Sequence, residues 1–235
     1  MTARPEFPAT VVAVDWSGAR SVPAQRTGIC VAISRGGDVE ATAGRTRVET
    51  IELVEALAAP VVVGFDFSFG FPEWFALERG CATIADVWAL AGREGETWLR
   101  PVPPFWRDRC DVPTERRFRV CELDLGPAKS IFQLVGDGQV GAGSVRGMPF
   151  LARLRANGFA IWPFDPPAAR TALEIYPSRL RRLLRGEAEQ HYRSAHERDA
   201  VESARVMWNS RESFANLTAA TDRTTRIEGA VWMPR

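Results

Sequence analysis

The 235-residue sequence has no apolar run approaching about 18 residues, so it carries no candidate for a bilayer-spanning helix. Its opening stretch, MTARPEFPAT, lacks the hydrophobic region of a secretory leader, and the expectation is a cytoplasmic protein without membrane association. Cysteine is sparse. The four present (Cys30, Cys81, Cys110, Cys121) make no CxxC pair, and neither histidine lies near one, so we expect reduced thiols and no structural zinc. An excess of either charge is missing too. Thirty Lys and Arg against 29 Asp and Glu leave a formal net charge of +1, which argues against a strongly basic, nonspecific nucleic-acid binder. Lysine is nearly absent, since Lys129 is the only one, and this reads as codon bias rather than function. What is present, 46% hydrophobic and 25% charged residues, is ordinary for a soluble α/β domain of this length.

Residues 11–15 (VVAVD) and 28–34 (GICVAIS) read as strands joined by a polar connection, VPAQRTG, with a third strand within 38–49 after the Gly36-Gly37 turn. Residues 50–58 (TIELVEALA) carry apolar residues at helical spacing behind Thr50 as N-cap. PVVVGFDFSFGFP follows, a continuous apolar run of the kind a parallel strand covered on both faces requires. Residues 73–145, rich in Trp, Pro and Gly, read as a large insertion after this fourth strand, with a helix near 84–93. A helix over 146–157 ending at Gly158, strands in FAIWPF and TALEIYP, a basic helix from YPSRLRRLLRG and an amphipathic helix capped by Ser194 complete the order. The tail DRTTRIEGAVWMPR reads as a loop or short strand. Two antiparallel strands feeding a parallel βαβ unit form the pattern of a ribonuclease-H-like mixed sheet flanked by helices, here as a single domain over 1–235.

Two of these strands end on acids, Asp15 and Asp66. In such a sheet the two strands are neighbours, so the carboxylates meet at one edge and repel unless a cation intervenes. Oxygen ligands of this kind suit Mg²⁺ or Mn²⁺. Glu174, inside TALEIYP, and Asp199, just inside the late helix, extend the set. Each also has a plainer reading: Glu174 as an arginine's ion-pair partner, Asp199 as a first-turn acid favoured by the helix dipole. Glu202 reads as solvated surface. Four acids from separate elements are what two-metal phosphodiester hydrolysis needs, without a nucleophilic side chain, and no GxSxG elbow is present.

Ser17, Lys129 and Arg146 are the candidates to hold a substrate phosphate, with a turn-forming serine as the plainer alternative for Ser17. GDGQVGAGS lacks the lysine–serine/threonine ending of a Walker loop. Arg179, Arg181, Arg182 and Arg185 form a basic stretch that could meet nucleic-acid phosphates or simply be solvated. His191 and His196 are five apart and do not share a helical face, which speaks against a histidine metal site. Trp16 and Trp74 stand close to Asp15 and Asp66 in sequence, where a base could stack, although most of the eight tryptophans read as core.

With these residues in view, the sequence resembles domain-of-unknown-function family 429, a set of predicted nucleases with a ribonuclease-H-like fold. The matching stretches are VVAVDWSGA, VVGFDFSFGFP, AKSIFQLVGDGQVGAGSVRGMPFLARL, ALEIYPS, HERDAVESA and IEGAVWMP, spread over residues 11–234. The resemblance puts family acids at Asp15, Asp66, Glu174 and Asp199, and a glutamate–glycine pair of open role at Glu228-Gly229. Here Ile175 separates Glu174 from Tyr176-Pro177, and FDFSFGFP stands where an aspartate–alanine–proline start is usual. The expected activity is metal-dependent hydrolysis of a phosphodiester, nucleic acid among the possible substrates. The alternatives are an ATP-dependent phosphotransferase of the actin-like fold, for which Asp15-Trp16-Ser17-Gly18 would grip phosphates, and a non-catalytic binding module.

Overall fold

Thr10–Asp15 is apolar at four of its six positions, three of them β-branched valine, and forms the fully buried strand β1. Its burial follows from its place in the sheet, where it has neighbours on both sides. Cys30–Arg35 (β2) pairs with it antiparallel, and Asp38–Ala43 (β3) continues outward from β2. On the other side Val61–Phe65 (β4) lies parallel to β1, followed by Arg170–Glu174 (β6) and the two-residue edge Ala160–Ile161 (β5), both parallel. The result is a six-stranded mixed sheet in the order β3-β2-β1-β4-β6-β5, flanked by helices. The computed structural model describes residues 8–100, 102–107, 110, 112–125, 129–134, 140–184 and 191–234.

The two faces of the sheet follow strand alternation. Val12, Val14, Val63, Phe65 and Ala172 point into the larger core, shared with Ile84–Trp98 (α4) and Val140–Ala156 (α6). Val11, Ala13, Cys30, Val62, Leu173 and Ile175 point the other way, onto Ala200, Ala204 and Met207 of Ala195–Asn209 (α8). Between the two, Val22–Gly28 (α1) links β1 to β2, Arg47–Glu55 (α2) links β3 to β4, and Glu73–Glu78 (α3), Val120–Asp124 (α5), Pro177–Leu180 (α7) and Arg223–Glu228 (α9) are short. Among the described residues no helix is long and apolar enough to cross a membrane.

Several elements differ from expectation for local reasons. VPAQRTG is helix α1, because the Ser21 side chain accepts the Ala24 N–H and Pro23 fits a first turn. The cap of α2 is Thr46, which forms a reciprocal capping box with Glu49; Thr50 is buried one turn later and donates to the Thr46 carbonyl. Helix α6 begins at Val140, so the second half of the glycine-rich GDGQVGAGS is helical. FAIWPF supplies only two strand residues, and the helix at 84–93 runs on to Trp98. The basic stretch breaks after one turn of α7 into a 3₁₀ turn over Arg181–Leu184. Arg179 is buried and Arg181 faces acids, so no basic face forms, and Arg185 lies outside the described residues. The tail contains helix α9, and Val231 beyond it bridges to Glu174. Ser194 caps α8 as expected.

Candidate functional site at the carboxyl edge of the sheet

Register brings the first two acids together. Val14 is level with Phe65 across the parallel β1–β4 pair, so Asp15 and Asp66, one residue on, come level at the carboxyl ends of both strands. Each carboxyl group acts on the pKa of the other. Asp66 is held well above the ordinary carboxylate range, first by burial and then by the negative charges of Asp15, Asp199 and Glu174. Asp15 is also raised, again by burial, an effect opposed by a hydrogen-bonded imidazole. That imidazole is His196, whose Nδ1 lies 2.6 Å from Asp15 Oδ2. The contact raises the pKa of His196 in turn.

His196 is the residue the sequence reading missed. Its spacing from His191 was uninformative, but its spacing from Asp199 is not. The two are three apart in the first turns of α8 and share the face that meets β1. Asp199 is close enough to Asp15, Asp66 and His196 to act on each electrostatically. It is held there by Arg181, Nη2 to Oδ1 at 2.5 Å. Glu202, expected as solvated surface, is a second partner of Arg181 at 3.0 Å and is mostly buried.

Glu174 points elsewhere, and alternation explains why. It is level with Phe65 in the β4–β6 pair, so its side chain leaves the sheet on the Val14–Phe65 face, opposite to Asp15. There its carboxylate receives both terminal nitrogens of Arg119, at 2.5 and 2.8 Å, and the Phe69 N–H at 2.9 Å. Arg119 is fully buried and also binds Glu122 through two nitrogens at 2.8 and 3.0 Å. It reaches the Glu228 carbonyl at 3.0 Å as well. The ion-pair reading of Glu174 therefore describes its contacts. Glu228 acquires a role: its two oxygens accept the N–H groups of Glu73 and Val120, both at 2.7 Å, tying the first turns of α3 and α5 together.

Burial lifts Glu122 and Glu228 above their ordinary value of 4.5. The folded chain thus holds protons on them at pH values where the unfolded chain has released them. Their contribution to stability is complete below the ordinary value of 4.5 and is lost as pH rises from there through the folded pKa values. We expect the melting temperature to rise as pH falls through the raised pKa values of these two acids, before depressed carboxylates such as Glu55 lose their partners. A calorimetric pH series that falls steadily over that interval contradicts this.

The sequence candidates for substrate contact separate clearly. A small cavity of about 30 Å³, room for one or two waters, is lined by Asp66, Ser68, Glu174, Tyr176 and Lys129, with Lys129 at its exposed side. Ser17 Oγ accepts the Ala19 N–H at 3.1 Å and so forms the turn after β1. Arg146 is engaged with the Gly18 carbonyl and, at 2.6 Å, with Glu96, and so holds that turn from α6. Arg47 holds it from the other side, donating to the Ser17 and Ala19 carbonyls at 2.9 and 2.7 Å; burial pushes it down to about 10. Trp16 is core: it donates to the Gly143 carbonyl at 3.2 Å and packs on Phe65, Phe67 and Phe150. Trp74 likewise donates to the Arg116 carbonyl at 2.8 Å.

Gly18 is required where α6 crosses this turn. A Cβ on Gly18 would collide with the Gly143 nitrogen and lie 2.6 Å from the Ala142 carbonyl carbon, both backbone atoms that cannot rotate away. We expect Gly18→Ala to cost about 1–3 kcal/mol. An unchanged urea midpoint shows that the turn moves freely.

Among the described residues no group of three or more His, Cys, Asp and Glu side chains is already arranged as a metal cage. What the edge presents is a level pair of interacting acids, Asp15 and Asp66, with His196 bonded to one and Asp199 within electrostatic range of both. Comparison with protein-family models, with curated proteins and with solved structures gave no match.

Proposed function

We propose that the chain is a divalent-metal-dependent phosphodiesterase, with nucleic acid as the candidate substrate class, built on a ribonuclease-H-like sheet. The observation that carries the reading is the parallel register that brings Asp15 and Asp66 level at the ends of adjacent strands, where each acts on the other electrostatically. Two neighbouring acids, Asp15 buried and Asp66 half-buried, are costly when both are ionised, and an oxygen-loving cation is the partner that turns the cost into binding. The strand order supports the fold reading, since an antiparallel β3-β2-β1 half runs into a parallel β4-β6-β5 half.

The residues fit a cation in part. Asp15 and Asp66 would hold Mg²⁺ or Mn²⁺, with Asp199 the nearest further carboxylate. Glu174, saturated by Arg119 and Phe69, fits a supporting role behind Asp66 rather than a ligand role. A bound cation would polarise the phosphodiester and lower the pKa of an attacking water. His196 orients Asp15 through Nδ1, Lys129 offers a positive charge beside Asp66 for a substrate phosphate, and Arg47 and Arg146 fix the turn that borders the site.

One observation favours the non-catalytic alternative: Glu174 and Asp199 each already have an arginine partner. An assay with Mn²⁺ on single-stranded, duplex and hybrid nucleic acids separates the two. Turnover by the wild type that is lost in Asp15→Asn and Asp66→Asn supports the enzyme. Inactivity of the wild type on all three substrates, together with no Mn²⁺ binding, leaves the binding module.

A further inference from the structure

We propose that the cavity between the start of α4 and helix α9 is a second binding site, for a small phosphorylated ligand with a flat ring, of mononucleotide size. It encloses about 370 Å³, within the range of small-molecule sites, and its lining includes Arg155, Arg223 and Arg226 but no acid. Phe164, Ile84 and Ile227 supply an apolar wall, so the cavity offers cationic groups and a hydrophobic surface together.

The charge around it decides the ligand. Arg155 is paired with Asp165 through two bonds of 2.9 Å, and Arg223 with Glu73 at 3.1 Å. The other nearby acids face their own helix ends: Asp86 closes the capping box of α4 through Ala82 and Thr83, and Asp222 caps α9 through Thr225. Glu228 accepts the Glu73 and Val120 N–H groups. Among the described residues Arg226 has no carboxylate partner, which leaves one uncompensated guanidinium on the wall. Guanidinium groups bind phosphate through paired donors, and a dianionic phosphate suits a rim where one arginine is free and the exposed Arg223 can turn from Glu73. A bare phosphate would leave the apolar wall wet; a ring against Phe164 would cover it.

The cavity stands apart from the Asp15–Asp66 edge, with which it shares no lining residue, so this site is independent of the proposed hydrolysis. The full chain also carries a reporter. Trp88 lies under the Arg155 guanidinium at 4.7 Å and edge-on to Phe164 at 5.6 Å, so an occupant of the cavity changes its surroundings.

The test is isothermal calorimetry of the full chain, in metal-free buffer, with adenosine 5′-monophosphate, inorganic phosphate and adenosine, followed by tryptophan fluorescence with the first. We expect saturable binding of the nucleotide, at least tenfold weaker binding of phosphate or adenosine alone, and a loss of at least tenfold in the Arg223→Gln/Arg226→Gln variant. Both arginines are exposed, so the fold is kept. Asp66→Asn should bind the nucleotide as the wild type does. No nucleotide binding, or binding unchanged in the double arginine variant, overturns the proposal. Binding lost in Asp66→Asn but kept in the arginine variant would put the nucleotide at the sheet edge and overturn it equally.

Discussion

Arg119→Met should cost about 3–5 kcal/mol, because it leaves the buried carboxylates of Glu174 and Glu122 without their counter-charge. A domain of this kind has about 5–15 kcal/mol in total, so the loss is a large share of it. At about 2–4 °C per kcal/mol, the melting temperature falls by about 6–20 °C. The size of the effect comes from burial: the side chains of Arg119, Glu122 and Glu174 are 1, 5 and 5% exposed. The same pairs on the surface would contribute about 0–1 kcal/mol. Adding Glu174→Met to Arg119→Met should recover part of the loss, since an apolar replacement of a buried pair is often near neutral. If thermal melts place the single variant within about 1 °C of wild type, the cluster is not the strut described here.

Asp66→Asn should act in opposite directions on activity and on stability. Removing one of the two paired acids deletes a proposed cation ligand, and we expect turnover with Mn²⁺ to fall by about 100-fold or more. The same change removes a carboxyl group whose charged form burial and the nearby acids disfavour in the metal-free protein, so its unfolding free energy should rise by about 1 kcal/mol. Asp15→Asn should match it in activity but not in stability, because Asp15 also holds His196 at 2.6 Å. A structural ion-pair network predicts destabilisation by both changes. Urea unfolding of both variants in chelator, beside the Mn²⁺ assay, distinguishes the two accounts.

How much of this was legible follows from how far each residue's signal reaches. Asp15 and Asp66 were found because each ends an apolar run, and parallel pairing of two such strands forces their ends together. Glu174 falls in the expected strand, but its side chain leaves the sheet on the face opposite to Asp15. Its face depends on the β4–β6 register, and a shift of one residue reverses it. His196 was within reach through its three-residue spacing from Asp199. Arg119 was not: its partners Glu174 and Glu228 lie 55 and 109 residues away, and nothing local marks a buried arginine. Helix α1 reads as a connection in the sequence because seven residues give too little periodicity, although Ser21 and Pro23 signal its start. For Ser17 the turn was the better reading, and its Ala19 contact gives the reason.

Asp15 and Asp66 are the proposed ligands of one cation at the carboxyl edge of the sheet. Calorimetric titration of Mn²⁺ into the wild type and Asp66→Asn tests it most directly. The account predicts saturable binding to the wild type that is lost in the variant. Absence of binding to the wild type, or equal affinity in both proteins, would contradict it.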